Sequence, residues 1–489
     1  MALGSNDIRY VCLSDLHLGA ELSLLTRLKK NPTTGKLEVD PLSVSPVLQN
    51  LVFCLGKLIR RNEDQDRKPT LVLLGDILEL ALADDNVAAM VFERFLEQAM
   101  PPGEEPLFDK TIFFIPGNHD HHLWESARET QYVSNYLPSH PHDPLEIPRH
   151  ITKDIFMELV NDKNKVRSYF LNELMHRYSH LEHFTIYTAY PNFGLTRGDR
   201  AVIFHHGHFV ESIYHLMTTL KNMIFPSLRK TPLTVDDLEA ENFAWIDFFW
   251  STLGRSGEVG HGVEIIYDKM LDNDQFCKLL DNLTDTLAGK YLSVWCYPGY
   301  WLFRKAIHKL LVHRLADKLS KPERTETKTP LGDDAAKGLV YYVNGPLRRQ
   351  IDAGYPKPKL TTFVFGHTHK PFELYHKFWA HPAVGVAVYN TGGWVVETKE
   401  TSPLHGGAAV LLNENLDIAS LHLYNEADNR GGYKVEVHEP PQPGSSQFVK
   451  FLKNLIVEQK DCWEQFSQTV AGEVEVRRQI LLDKIASQG

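Results

Sequence analysis

Five short polar clusters, each at the C-terminal end of an apolar run, constrain the fold of this chain most strongly. In chain order they are DLHLG at 15–19, GD at 75–76, GNHD at 117–120, HHGH at 205–208 and GHTH at 366–369. The preceding runs, at 10–13, 70–74, 111–115, 201–204 and 361–365, are rich in β-branched and aromatic residues. This composition is typical of buried strands, so each predicted strand ends in polar side chains.

The segments between the first clusters predict the fold class. Residues 46–61 and 86–99 have helical apolar spacing, so the first three strands alternate with helices. In such sheets, ligands gather beyond the carboxyl ends of the strands. After GHTH, four more apolar runs at 384–390, 408–412, 421–424 and 434–437 predict a second sheet. The predicted fold is therefore an α/β sandwich of two sheets flanked by helices.

The remaining sequence predicts three regions. Residues 1–208 and 359–439 form the core, 209–358 a mainly helical cap insertion, and 440–489 a linker and C-terminal helical tail. The linker is predicted from PPQPGSS, because Pro and Gly end regular structure. Docking of the tail on the core is favoured over a separate partner-binding role. The candidate buried positions of the tail are Phe451, Leu452, Leu455, Ile456, Val474, Leu481 and Ile485.

Two stretches of the insertion have alternative interpretations. Residues 301–319 have an apolar face and a basic face, which predicts either a helix buried on its neighbours or weak peripheral contact with an anionic membrane. Burial is the favoured interpretation. The glycine-rich stretch 254–262 follows an aromatic helical run and lacks a P-loop lysine, so it is expected to be a loop without a nucleotide-binding role.

Composition excludes several classes of protein. The five cysteines have no CxxC spacing, which argues against a disulfide framework and predicts reduced thiols in a cytoplasmic protein. Neither a secretory signal nor a membrane-spanning run is predicted. A formal net charge of -10 argues against a nucleic-acid-coating protein. The oligomeric state is left open.

The side chains of the five clusters favour metal binding. Carboxylates, imidazoles and a side-chain amide, without a thiolate, suit divalent manganese, iron, zinc or magnesium. Asp15 and His17 alternate beyond a strand, as His367 and His369 do, so each pair can point to one face. Asp76 could bridge two ions with its two oxygens. The two metal ions of such a centre sit about 3.5–4 Å apart and lower the pKa of a shared water.

The ordered set DLH, GD, GNHD, HGH and GHTH resembles the calcineurin-like metallophosphoesterase superfamily. The resemblance implies a two-sheet sandwich with a centre of two divalent ions, with manganese first and iron, zinc or magnesium as alternatives. It assigns one ion to Asp15, His17, Asp76 and His369. It assigns the other ion to Asp76, Asn118, His206 and His367.

The resemblance also assigns two catalytic residues. His119 would protonate the leaving oxygen while a bridging hydroxide attacks phosphorus in line, and Asp120 would orient His119. Among the other histidines, His208 could reach the substrate or support a ligand. For three further histidines in or beside the clusters, strand-end or surface positions are the favoured interpretation. They are His121, His122 and His205.

The expected function is metal-dependent phosphoester hydrolysis of a small-molecule or lipid-linked phosphoester or pyrophosphate. DLHLG and GDILE are similar to segments of the lipid A pathway pyrophosphatases, with Glu79 at a position that is acidic in both. Those enzymes carry arginine where this chain has His119, so a lipid-nucleotide substrate is not assigned. The alternatives are a nuclease or phosphodiesterase acting on nucleic acid, and a scaffold of the same fold without enzyme activity.

Overall fold

A computed structural model describes residues 6–224, 227, 229–252, 323–325, 328–354, 356–376, 385–441 and 446–488. The strands are β1 (Tyr10–Leu13), β2 (Leu28–Lys30), β3 (Leu37–Val39), β4 (Thr70–Leu74), β5 (Thr111–Ile115), β6 (Val166–Arg167), β7 (Thr185–Thr188), β8 (Asn192–Arg197), β9 (Arg200–His205), β10 (Leu360–Phe365), β11 (Pro371–His376), β12 (Val386–Thr391), β13 (Gly406–Leu412), β14 (Ile418–Asn425) and β15 (Glu436–His438). The helices are α1 (Pro46–Ile59), α2 (Asp85–Ala99), α3 (His122–Gln131), α4 (Leu137–Ser139), α5 (Tyr169–His176), α6 (Leu216–Ile224), α7 (Val235–Ile246), α8 (Asp333–Tyr342), α9 (Arg348–Ala353), α10 (Gln447–Glu458) and α11 (Lys460–Gln488).

The first three predicted strands pair side by side in an eight-stranded sheet. Its strand order is β15-β14-β13-β1-β4-β5-β7-β6, and β1, β4, β5 and β7 run parallel. Helices α1 and α2 connect β1 to β4 and β4 to β5, as their apolar spacing predicted. Ser45 begins α1 by accepting a hydrogen bond from the Val47 backbone, and Pro46 occupies the first turn, where its missing N–H costs nothing.

The fourth and fifth motif strands lie in a separate five-stranded sheet. Its order is β11-β12-β10-β9-β8, with β9, β10 and β12 parallel. The α/β fold class with several sheets is thereby confirmed. The prediction that all four late strands form the second sheet is wrong, because only β12 lies there. β13 pairs antiparallel with β1 and brings β14 and β15 into the first sheet.

Three apolar layers hold these elements together. In β1, Tyr10 and Cys12 face the layer between the sheets, which also contains Phe204 and Val364 of the five-stranded sheet. The alternate residues of β1 face the layer under α1 and α2. A third layer covers the outer face of the five-stranded sheet and packs it against the described helices of the 209–358 segment. The alternation follows from the two-residue period of a strand.

The described part of the 209–358 segment is helical. Helices α6 to α9 pack on the five-stranded sheet, and α7 begins with a capping box in which Thr234 and Asp237 exchange hydrogen bonds. The predicted amphipathic helix at 301–319 and the glycine-rich stretch at 254–262 lie outside the described residues, as do residues 442–445 of the predicted linker at 440–446. No helix in the described ranges combines the length and apolar character needed to cross a membrane.

The C-terminal helices dock on the core, the favoured interpretation of the tail. Phe448 and Leu452 of α10 and Val474 of α11 join the layer that contains α1. A disulfide between Cys54 of α1 and Cys462 of α11 joins two positions 408 residues apart in sequence. The expectation that all cysteines are reduced is therefore wrong for this pair, because docking brings together two thiols whose spacing in sequence carries no signal.

Candidate metal centre

The loops that follow the five motif strands converge between the two sheets. Asp15, Asp76 and Asn118 follow strands of the eight-stranded sheet, whereas His206 and His367 follow strands of the five-stranded sheet. The loops hydrogen-bond to one another, since the Asp15 N–H donates to Gly75 O at 2.9 Å and the Gly366 N–H donates to His206 O at 2.7 Å. The seven predicted ligands are each at most 2% exposed. They are Asp15, His17, Asp76, Asn118, His206, His367 and His369.

The backbone turns sharply at five of these residues. Their φ angles are positive: 50° at Asp15, 44° at His17, 49° at Asp76, 71° at His367 and 55° at His369. The left-handed region costs an L-residue roughly 1–2 kcal/mol, although Asp and His adopt it more readily than most. Among the described residues other than glycine, Leu416 alone shares this conformation. Strain concentrated at one place is typical of a functional site.

The first group of donors comprises Asp15, His17 and His369. The Nε2 atoms of His17 and His369 lie 3.2 Å apart, and His369 Nε2 lies 3.4 Å from Asp15 Oδ1. The Nδ1 atoms of both rings face carboxylates, at 2.8 Å from Glu79 for His17 and 3.1 Å from Glu397 for His369. With the Nδ1 atom of each ring directed at its carboxylate, both Nε2 atoms converge beside Asp15 Oδ1. That arrangement suits a bound cation.

The second group comprises Asp76, His206 and His367, with Asn118 beside them. His206 Nε2 lies 3.2 Å from His367 Nδ1 and 3.0 Å from Asn118 Oδ1. His367 Nε2 faces Glu211 Oε1 at 2.6 Å, which assigns the proton of His367 to that nitrogen. His206 Nε2 and His367 Nδ1 therefore converge, with the amide oxygen of Asn118 beside His206 Nε2. The second group thus offers a cation site of the same kind as the first.

Asp76 lies between the two groups. Its Oδ2 atom is 3.3 Å from His206 Nε2 and 3.7 Å from His17 Nε2, and its Oδ1 atom accepts the His119 backbone N–H at 2.8 Å. Burial opposes ionisation of this carboxyl, but the imidazoles of His206 and His119 hold its pKa well below the ordinary value. Asp76 is therefore placed to contribute a ligand oxygen to both groups.

The donor set fits a pair of divalent cations. Asp15 Oδ2 is buried and has no hydrogen-bond partner among the described residues. A Cβ on Gly366 would overlap that oxygen, and a Cβ on Gly75 would overlap the ring of His206, so these glycines keep the donors accessible. Burial lowers the pKa of His17 and of His367, which favours the neutral ligand form. Burial lowers the pKa of His369, but the Glu397 carboxylate outweighs burial and raises it to about 9. Metal binding at His369 therefore displaces a proton.

His119 lies beside the donors and is 5% exposed. Its Nδ1 atom is 2.8 Å from Glu79 Oε1, so Glu79 holds both His119 and His17. Burial lowers the pKa of His119, but the carboxylates of Glu79 and Asp76 outweigh burial and raise it. A buried imidazole that keeps its proton can act as an acid.

Asp120 has a different role from the one that the sequence predicted. Its carboxylate accepts the backbone N–H groups of Gly117 and Ile77, both at 2.7 Å, and so supports the turn that carries Asp76. The residue that orients His119 is Glu79. The Asp120 carboxylate cannot orient the His119 ring as well, because it is directed at backbone donors of its own loop and of the neighbouring one.

Three further residues at the centre were missed by sequence reasoning. Glu211 faces His367 Nε2, and Glu397 faces His369 Nδ1. Arg324 comes from the insertion, and its Nη2 atom lies 3.4 Å from Asp76 Oδ2 while its Nη1 atom lies 3.4 Å from Glu397 Oε1. None of the three belongs to a motif. For Glu211 and Glu397, a carboxylate a few residues beyond a strand end is too common to have served as a signal.

The residue before Arg324 anchors this segment to the core. Glu323 accepts a hydrogen bond from the buried Lys370 at 3.0 Å, and the Arg324 carbonyl faces His405 Nε2 at 2.8 Å. The Arg324 Nε–H also donates to the His367 carbonyl at 3.2 Å. Arg324 is therefore fixed on both sides, with its guanidinium directed at the candidate centre.

The other histidines in and beside the clusters differ in burial and in their partners. His205 ends β9 inside the protein, whereas His208 Nε2 lies 3.2 Å from the Tyr190 hydroxyl. A surface position is wrong for His121, which is fully buried between Glu239 of α7 at 2.9 Å and Asp247 at 3.2 Å. His121 therefore links the GNHD loop to the insertion. His122 is partly exposed and lies 3.4 Å from Asp247.

Comparison with known proteins agrees with this geometry. Residues 8–224 match the family model described as calcineurin-like phosphoesterase. The match spans β1 to β9 and four of the five polar clusters, and GHTH lies beyond it. A search of curated proteins returned no significant match.

Proposed function

The chain belongs to the calcineurin-like phosphoesterases and is a phosphoester hydrolase with a metal centre, and on this premise we propose its substrate class and the roles of its residues. The substrate that we propose is a small-molecule or lipid-linked phosphoester or pyrophosphate. The observation that carries the proposed two-ion centre is the position of Asp76, whose Oδ2 atom lies within 3.7 Å of an imidazole from each donor group.

In this proposal Asp15, His17, Asp76 and His369 hold one divalent ion. Asp76, Asn118, His206 and His367 hold the other. The donors are nitrogen and oxygen without sulfur, which supports manganese, with iron, zinc or magnesium as alternatives that metal analysis distinguishes. Bound ions would neutralise the phosphate oxygens and acidify a water for in-line attack on phosphorus.

His119 is the proposed proton donor to the leaving oxygen. Glu79 engages Nδ1, which leaves Nε2 as the nitrogen that can hand over a proton. The same carboxylate helps to keep the ring protonated, as a general acid requires. Glu79 acts through His119 and His17 and is therefore a positioning residue.

The surroundings of the centre support a small substrate. Segments of the insertion lie against the ligands, with Arg324 beside Asp76 and the Tyr214 ring centred 5.2 Å from that of His367. Arg324 could bind a phosphate oxygen with charge-assisted hydrogen bonds. Three carboxylates, Glu79, Glu211 and Glu397, surround the same residues, and the whole chain carries a formal charge of -10. This charge does not favour a nucleic-acid backbone.

A substrate panel tests the proposal. Phosphomonoesters, phosphodiesters, nucleotide pyrophosphates and DNA would be assayed with the manganese-loaded protein. We expect turnover of one class of small substrate and no cleavage of DNA. Faster cleavage of DNA, with affinity that falls steeply as salt rises, would overturn the substrate class in favour of the nuclease alternative.

Replacement of Arg324 tests how the phosphate is held. Arg324→Ala should lower kcat/KM about 10- to 100-fold, as expected for lost hydrogen bonds to a charged group, while the metal content stays constant. Arg348→Ala on α9 is the matched control, because Arg348 pairs with Asp352 at the surface of the same insertion. Equal kcat/KM values for the two variants would show that Arg324 does not bind the phosphate.

A further inference from the structure

A second cluster of metal-ligating side chains lies at the edges of the two sheets. Glu373 is on β11, the edge strand of the five-stranded sheet. His422 is on β14 and His438 on β15, the edge strand of the eight-stranded sheet. One ligand atom from each of the three residues lies within 4.8 Å of the others. The cluster thus joins the edges of the two sheets.

Strand register brings the three side chains to one face. His422 stands opposite Glu436 and Ser420 opposite His438, so the two histidines are diagonal neighbours on the same side of the β14–β15 pair. The neighbours of His422 in β14, Leu421 and Leu423, belong to the layer on the helix side. His422 therefore points towards the other sheet.

Glu373 meets them from the opposite sheet. Its neighbour Phe372 packs in the outer layer of the five-stranded sheet, so Glu373 points the other way, towards the eight-stranded sheet. Glu373 Oε1 lies 2.8 Å from His422 Nε2, and Oε2 lies 3.9 Å from His438 Nδ1. The carboxylate is only 7% exposed and His422 is 8% exposed. Glu373 and His422 are thus largely removed from water, whereas His438 is 39% exposed.

The two imidazoles are stacked with centroids 4.0 Å apart and planes 19° apart. Two protonated rings at this separation would repel each other. His422 Nδ1 lies 3.1 Å from Asn425 Oδ1, which leaves Nε2 as the nitrogen that faces Glu373. Neutral imidazole nitrogens beside a carboxylate are the ligand form of these side chains.

We propose that Glu373, His422 and His438 form a third divalent-metal site, of the zinc class, that ties the edges of the two sheets together. Two imidazoles and one carboxylate are an established donor set for zinc, which leaves a fourth position for water or another oxygen. Glu436 Oε2 lies 3.3 Å from His438 Nε2, where it can accept that N–H and so leave Nδ1 as the ligand atom. The site is separate from the proposed catalytic centre and does not depend on the phosphoesterase substrate.

Zinc stoichiometry tests the proposal directly. The full chain would be stripped with a chelator, dialysed against zinc, desalted and measured by mass spectrometry of the metal. We expect His438→Gln to hold one zinc ion fewer than the unsubstituted protein. His142→Gln is the matched control, because His142 is exposed and outside the cluster. The two catalytic ions are common to all three proteins and cancel in the comparison.

Thermal unfolding supplies a second readout. Zinc added to the stripped protein should raise the unfolding midpoint by several degrees more in His142→Gln than in His438→Gln, because a bound metal stabilises only the folded state. His422→Gln serves as a second variant, with circular dichroism to verify its fold. Equal zinc content and equal zinc-induced shifts in all of these proteins would overturn the proposal. The cluster would then be a buried ion pair with a stacked histidine.

Discussion

The candidate centre has two concentric parts with different origins in the chain. The inner part comprises the seven predicted ligands, all within the five polar clusters at strand ends. The outer part consists of Glu79, Glu211, Glu397 and Arg324, which contact the inner side chains at 2.6–3.4 Å. Glu79 and Glu211 follow a motif closely but belong to none, whereas Glu397 and Arg324 lie far from any of the five clusters. The inner part is specified by local sequence, and the outer part by tertiary structure.

The reason for the difference is geometric. A ligand must project from a fixed point beyond its strand, and five of the seven do so from a left-handed residue that requires a particular turn. Such a turn needs a short, recognisable sequence. A supporting carboxylate has only to reach an imidazole Nδ1 or Nε2 atom, and any loop that passes nearby can supply it. The two parts should therefore respond differently to substitution.

Substitution of the shared inner ligand should have the largest effect. Asp76→Asn keeps the size of the side chain but removes the negative charge between the two donor groups. We expect turnover to fall below detection and binding of both ions to weaken, because the proposed role of Asp76 is common to both sites. Metal analysis and an assay on the best substrate of the panel measure the two effects. A fully metallated and active Asp76→Asn protein would show that Asp76 does not bridge.

The sequence predicted the inner part and the strands that carry it. β1, β4 and β5 have the predicted bounds, and β9 extends one residue beyond the prediction at each end. Strand ends could be located because apolar runs stop where polar clusters begin. The sheet to which each strand belongs could not be predicted, because a run such as β13, which is buried along its whole length, fits either sheet.

Long-range contacts account for the other failures of prediction. The Cys54–Cys462 disulfide depends on the docking of α11 on α1, which five scattered cysteines do not reveal. The role of Asp120 was assigned from its neighbour in sequence, whereas its carboxylate accepts hydrogen bonds from the backbone of the loop around Asp76. Arg324 lies 248 residues from Asp76. In each case the partner is fixed by packing, and no local pattern encodes it.

Substitution of the predicted acid should have an intermediate effect that depends on the leaving group. His119→Ala should retain its metals but slow the hydrolysis of an alkyl phosphoester by about two to four orders of magnitude. An aryl ester with an acidic leaving group needs little protonation, so its rate should fall much less. Measurement of kcat on both esters separates the two cases. An equal loss on the two esters would assign His119 to phosphate binding instead.

Substitution of an outer carboxylate should have the smallest effect of the three, and it tests whether the outer part only positions ligands. Glu397→Gln keeps the shape of the side chain but weakens the hold on His369 Nδ1, and metal affinity or activity should fall about 10- to 100-fold. Glu400→Gln on the same loop is the control, because Glu400 is exposed. A positioning role predicts that excess manganese restores much of the lost activity of Glu397→Gln, since the ligand itself is still present. A loss as complete as that of Asp76→Asn, with no rescue by manganese, would mean that Glu397 belongs to the inner part.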